Sequence, residues 1–173
     1  MVIDSSAIIA VLLNEANAAQ IAEAIDSGSQ RLLSAASLLE ASIVIESRKG
    51  EAAGRELDLL IYRAAIEVVA VDQDQAEIAR IAWRRYGRGR HPAGLNYGDC
   101  FSYALARSRG LPLLFQGEDF SRTDIDAVPL LPAQGARPRT SRQPPARRLL
   151  WRRTALDVAG PASIGGESRR FTR

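Results

Sequence analysis

The sequence predicts an α/β protein, with a parallel sheet covered by helices on both faces over residues 1–131 and an Arg- and Pro-rich tail over 132–173. Two observations carry the sheet. Brief apolar runs (VI, LL, VV, LLF) alternate along the chain with longer helical stretches. Strands that are apolar throughout, without alternation, are buried on both sides, as parallel strands between helices are. A third observation sets the boundary. After Leu131 the chain turns to Arg, Pro, Gly and Ser, with one apolar cluster at Leu149-Leu150-Trp151. That segment is too poor in apolar residues to offset its ordering entropy and is expected to be disordered.

Each element has its own local reason. Val2 and Ile3 form a strand tip ending at Asp4. Residues 5–13 turn helical, and 17–25 form a second helix with Ile21 and Ile25 on one face, stopped by Gly28. Leu32 and Leu33 are the second strand. Residues 37–48 make a strongly apolar helix closed by Gly50, and 51–65 another. The β-branched run 68–71 is a buried strand, and 72–86 a helix capped by Asp72. The stretch GRGRHPAGLNYG is a Gly- and Arg-rich loop. A helix follows over 99–109, stopped by Gly110, and then a strand over 113–115. In such a sheet the ligand site lies beyond the carboxyl ends of the strands, where Asp4 and the pair Glu118-Asp119 fall.

Charge is unevenly spread. The net +3 of the 173 residues divides into −5 over residues 1–133 (13 Lys and Arg, 18 Asp and Glu) and +8 over 134–173 (10 and 2). An acidic body argues against a protein that simply coats nucleic acid with positive charge. Cys100 is the single cysteine, so neither an internal disulfide nor a Cys-rich zinc site can form, and a reducing compartment suits the chain. No apolar run approaches the roughly 20 residues of a membrane span, and no basic leader precedes the first apolar stretch. A cytoplasmic location with no membrane association is expected. Neither G-x-G-x-x-G nor G-x-x-x-x-G-K-[ST] occurs, so a glycine loop cradling phosphates has no support.

Four acids stand out: Asp4 at the end of the first strand, Glu40 in an apolar helix, Asp99 at the mouth of another, and Asp119 after the last strand. Each has a local explanation. Asp4 and Asp99 can cap helices, Ser37-Leu38-Leu39-Glu40 fits a capping box, and Asp119 can be a plain loop acid. As a set these explanations fail, because the topology sends three of the four to one end of the sheet. Crowded carboxylates repel and need a counter-charge. Oxygen ligands without His or Cys suit a hard cation, Mg²⁺ or Mn²⁺. Such an ion lowers the pKa of a water and stabilises charge on a phosphate, which points to phosphodiester hydrolysis.

The segments VIDSSAIIA, SLLEASIVIESR, GLNYGDCFSYALA and PLLFQGEDF, in this order, resemble PIN domains, and more narrowly the VapC-type toxins of bacterial toxin–antitoxin pairs, over about residues 1–130. The resemblance implies a three-layer α/β/α fold and a Mg²⁺-dependent endoribonuclease. It also implies a homodimer that binds RNA as substrate and a cognate antitoxin as partner. It carries over the acids residue by residue: Asp4 and Asp99 as metal ligands, Glu40 positioning a water on the ion or acting as base, and Asp119 (or its neighbour Glu118) completing the catalytic set. Ser6 would hydrogen-bond within the site, and Asn96 is a polar residue near Asp99 better explained as a cap. The alternative is a PIN-like scaffold that binds RNA or a protein without catalysis. A haloacid-dehalogenase-like phosphotransferase would need a second Asp where Ser6 stands.

The remaining features are weaker. Arg84, Arg85, Arg88, Arg90 and His91 make a basic stretch that suits either a solvated helix and loop or RNA backbone. His91 is a poor candidate base. Trp83 and Tyr86 suit core packing better than base stacking, and Cys100 a small buried hydrophobe. The tail departs from the family, whose members stop near residue 130, and is either idle sequence or an Arg-rich arm raising RNA affinity.

Overall fold

Val2 and Ile3, strand β1 (Val2–Ile3), occupy the middle of the sheet and lose all contact with solvent. The computed structural model describes residues 1–131; the tail, with its expected disorder, lies outside the described residues. β1 pairs in parallel with β2 (Leu32–Ser34) on one side and β4 (Leu113–Leu114) on the other, and β3 (Glu67–Val69) adds beyond β2. The order is β3-β2-β1-β4. Val2 lies opposite Leu32 and Leu113, and Ile3 opposite Leu33 and Leu114.

Successive strand side chains point to opposite faces, and here the register sorts them into two cores. Val2, Leu32, Leu113 and Val69 enter one, closed by α5 (Gln73–Tyr86) and α6 (Tyr97–Arg109). Ile3, Leu33 and Leu114 enter the other, closed by α1 (Ser5–Leu12), α2 (Ala18–Ser27) and α4 (Glu51–Arg63). α3 (Ala35–Lys49) gives Ala41 to the second core and packs against α1, α4 and α6. The sheet is parallel and has helices on both faces, as expected.

Two starts differ from expectation, both through caps. α3 begins two residues early because Ser34, the last residue of β2, caps it: its Oγ accepts from the Ala36 N–H at 3.3 Å. The Ser37–Glu40 capping box therefore does not form, and Ser37 is instead buried, 2.9 Å from Ser102 Oγ of α6. α6 likewise begins at Tyr97, capped by Asn96.

The two sheet edges are treated differently. Along β4, the Leu113 N–H donates to Asp126 O (2.8 Å) and the Val128 N–H to Leu113 O (2.9 Å), so residues 126–128 cover that edge. The outer edge of β3 pairs with no strand among the described residues, and Glu67 and Val68 are exposed there.

Candidate active site

Asp4 follows β1 and caps α1. The N–H and Oγ of Ser6 both donate to Asp4 Oδ2, at 2.9 and 2.5 Å. Ser6 Oγ in turn accepts from the Gln116 N–H at 3.0 Å, tying the β1–α1 turn to the chain leaving β4. The other oxygen, Oδ1, is buried and has no hydrogen-bond partner. A buried acceptor without a donor costs stability unless something positive meets it.

Asp99 repeats the pattern from the opposite layer. At the third position of α6 it forms a capping box with Asn96: the Asn96 N–H donates to Asp99 Oδ2 at 2.7 Å, and the Asp99 N–H to Asn96 Oδ1 at 3.0 Å. Oδ1 takes no part in the cap. Burial pushes the Asp99 carboxyl up to about 7; the Asn96 N–H works against this, and the negative charges of Asp4, Asp119 and Glu40 add to it. Those three carboxylates therefore lie close enough to Asp99 to be felt, although each comes from a different segment.

Glu40 sits in the second turn of α3, half-buried, and accepts from Ser5 Oγ at 2.8 Å. Its carboxylate rests against Gly98, where a Cβ would overlap it. Asp119 is exposed on the loop after β4. Its neighbour Glu118 is engaged by Ser121 Oγ at 3.2 Å, and it is Asp119, not Glu118, that bears on Asp99. Ser5 and Gly98 were missed by sequence reasoning. The available sign was the glycine itself, since a glycine in the first turns of a helix weakens it and marks a close approach.

The donor set fits a hard divalent cation: only oxygens converge, one of them buried without a partner, and Asp4 and Asp99 each keep Oδ1 out of their caps. Among the described residues no three His, Cys, Asp or Glu side chains close around a point by themselves. Mg²⁺ takes one or two carboxylates and keeps several waters. Asp4 and Asp99 are the residues that could hold it.

The other polar candidates are structural. His91 Nδ1 accepts from the Ala93 N–H at 3.1 Å, and its ring meets Tyr86 edge-on. Arg85 pairs with Asp124 at 3.4 Å, and Tyr103 donates to the same carboxylate at 2.6 Å. Burial, with Asp99 adding, pushes the Cys100 thiol up to about 11, and its Sγ lies 3.1 Å from Asn96 O, so it offers no thiolate. Tyr86 is core, as expected, whereas Trp83 is only partly covered.

Comparison with known proteins shows what the chain is similar to. Residues 1–126 match the family model described as PIN domain. The chain is 59% identical over 128 residues to Ribonuclease VapC of Mycolicibacterium smegmatis, a match covering 74% of this chain and 99% of that one. It is 58% identical over 130 residues to Ribonuclease VapC30 of Mycobacterium tuberculosis, covering 75% and 99%. Among solved structures, Mycobacterium tuberculosis VapC20, described as a sarcin-ricin loop cleaving toxin, aligns with a TM-score of 0.62 at 19% identity, over 73% of this chain and 97% of that one. A toxin–antitoxin complex from Klebsiella pneumoniae aligns at 0.55 and 18%, over 71% and 92%. At such identities these two bear on the fold alone. The match of residues 1–126 to the PIN-domain model and the 58–59% identity to VapC ribonucleases place this chain in the PIN-domain family, among the VapC ribonuclease toxins.

Proposed function

We propose that this protein is a Mg²⁺- or Mn²⁺-dependent endoribonuclease acting in the cytoplasm as the toxin of a toxin–antitoxin pair. The observation that carries the reading is the gathering of acids at Asp99: burial raises its carboxyl to about 7, and the negative charges of Asp4, Asp119 and Glu40, from three other segments, add to the shift. Such repulsion is sustained only where a cation relieves it.

Asp4 and Asp99 would hold the ion; in each, Oδ2 makes a helix cap that fixes the carboxylate in place. The ion, when bound, supplies positive charge that activates a water and offsets charge on the scissile phosphate. Ser6 fixes the Asp4 carboxylate. Ser5 holds Glu40, which orients the attacking water and takes its proton. Asp119 stands at the exposed mouth of the site. The test is cleavage of RNA by the purified chain with Mg²⁺ or Mn²⁺. We expect EDTA to stop it and Asp99→Asn to slow it by at least about a hundred-fold, the scale of losing one electrostatic anchor. Cleavage that persists in both would overturn the reading, and a chain that binds RNA without ever cutting it would support the non-catalytic alternative.

The partners follow from the family and from the surface. Relatives bear the name Ribonuclease VapC, one structural neighbour is described as a toxin and another is a toxin–antitoxin complex, so a cognate antitoxin is the expected inhibitor. Leu39 and Ile43 of α3 and Leu59 and Tyr62 of α4 are exposed, in helices that also carry Glu46, Glu51, Glu56 and Asp58. This apolar surface with an acidic surround is the face we assign to a homodimer. Light scattering showing a monomer at tens of micromolar would exclude it.

A further inference from the structure

Between α5 and α6 runs a groove of about 690 Å³. Trp83 from α5 and Tyr97 and Phe101 from α6 line it with aromatic faces, and Arg80, Arg84 and Arg88 contribute positive charge. Residues four apart share a helix face, which sets Arg80 and Arg84 in one row, continued by Arg88 just past the helix end. By the same spacing Tyr97 stacks over Phe101, edge-on at 4.9 Å. Tyr97 is 79% exposed. Among the described residues none of the three arginines is paired with a carboxylate, whereas Arg85 is committed to Asp124. The groove reaches Asn96, the residue that caps Asp99.

Flat apolar rings bordered by unpaired cations select their occupant. A second copy of this chain seated there about a two-fold axis would set arginine against arginine, a repulsive arrangement. A strand with planar bases and a phosphate backbone meets both halves of the surface, since every base has a face to stack and every phosphate a charge to pair. It also answers a difficulty of the site, because an acidic body with clustered carboxylates repels a polyanion unless a positive track guides it in. We infer that single-stranded RNA lies in the α5–α6 groove beside the catalytic carboxylates, with bases on Trp83 and Tyr97 and phosphates against Arg80, Arg84 and Arg88. This rests on reading the chain as an enzyme acting on RNA.

The test is binding of a fluorescently labelled oligouridylate to the full chain in EDTA, followed by anisotropy across a salt series. Tyr97→Ala should weaken binding about five- to a hundred-fold, the range for losing one base–aromatic stack, and Tyr97→Phe should restore it. Replacing Arg80, Arg84 and Arg88 by Ala should flatten the salt slope by about 2, at roughly 0.7 per phosphate contact on a single strand. All these side chains are exposed, so circular dichroism should match wild type. Unchanged affinity and slope in both variants would overturn the inference. So would a loss of molar mass in Tyr97→Ala without loss of RNA affinity, which would make the groove a contact between copies. The two readings fail separately. Wild type that binds through the groove but never cuts in Mg²⁺ leaves the groove standing and removes the nuclease. Wild type that cuts, while the groove variants bind as it does, leaves the nuclease and removes the groove.

Discussion

Asp99 divides its labour between two oxygens, and the division makes its effect on stability separable from its effect on the fold. Oδ2 accepts the Asn96 N–H, a role that an asparagine at 99 can keep, while the charge itself meets Asp4, Asp119 and Glu40. With its pKa raised from 3.8 to about 7, the folded protein holds a proton that the unfolded chain has released. The contribution is therefore fully present below the unfolded value of 3.8 and is lost as pH rises through about 7. In EDTA, the stability of wild type relative to Asp99→Asn should fall across that window, as measured by urea unfolding at a series of pH values. Mg²⁺ at neutral pH should raise the wild-type melting temperature and raise that of the variant less, since a ligand held by the native state stabilises it by mass action. Gly98 offers a complementary case. A Cβ there meets only the mobile end of Glu40, so Gly98→Ala should displace the carboxylate from Ser5 without breaking the helix. We expect a change in folding free energy of less than about 1 kcal/mol, because alanine is the better helix former. RNA cleavage should nonetheless fall about ten- to a hundred-fold, in line with the sensitivity of catalysis to small misplacements.

At the scale of elements, the site depends on how α3 docks on α6, because that contact carries Glu40 to Gly98. Ser37 and Ser102 make a fully buried hydrogen bond across it. Ser37→Ala alone should cost about 1–3 kcal/mol by leaving Ser102 without its partner. The double replacement with Ser102→Ala should cost less than the sum of the two singles, and a thermal-denaturation cycle reads the coupling. This contact also marks the limit of what could be read from the sequence. The helices, the other strands and the positions of the four acids were legible, because apolar run length, glycine stops and the position of acids after strands are local properties; the third strand, expected buried over 68–71, runs over Glu67–Val69 at the sheet edge and buries only Val69. The start of α3 was not. Ser37-x-x-Glu40 is a good capping box locally, but Ser34 already caps from the end of β2, which releases Ser37 to the core and Glu40 to Ser5. Ser34 is near in sequence, but the partners that then take up Ser37 and Glu40, Ser102 and Ser5, are distant, as is Gly98, which Glu40 closely approaches. Trp83 was legible only in part: its spacing suggested core, and the open groove between α5 and α6 becomes visible only once the two helices are packed.

For the molecule as a whole, the division of charge into a −5 body and a +8 tail gives a direct experiment. A chain ending at Leu131 keeps all four acids and both cores, so it should fold, bind Mg²⁺ and cleave RNA at saturation. If the arginines beyond residue 131 touch phosphates, its binding to RNA should be weaker and less dependent on salt. The sheet itself has a further consequence for how the protein behaves at high concentration. Residues 126–128 close the β4 edge, but among the described residues no strand pairs with the outer backbone of β3, and Glu67 is the one charge in the run Ile66-Glu67-Val68-Val69. An open, uncharged, β-branched edge is a template for strand addition from another molecule. Glu67→Val, though Glu67 is exposed and outside the core, should therefore make the protein form thioflavin-positive aggregates on warming, while Glu67→Lys stays clear.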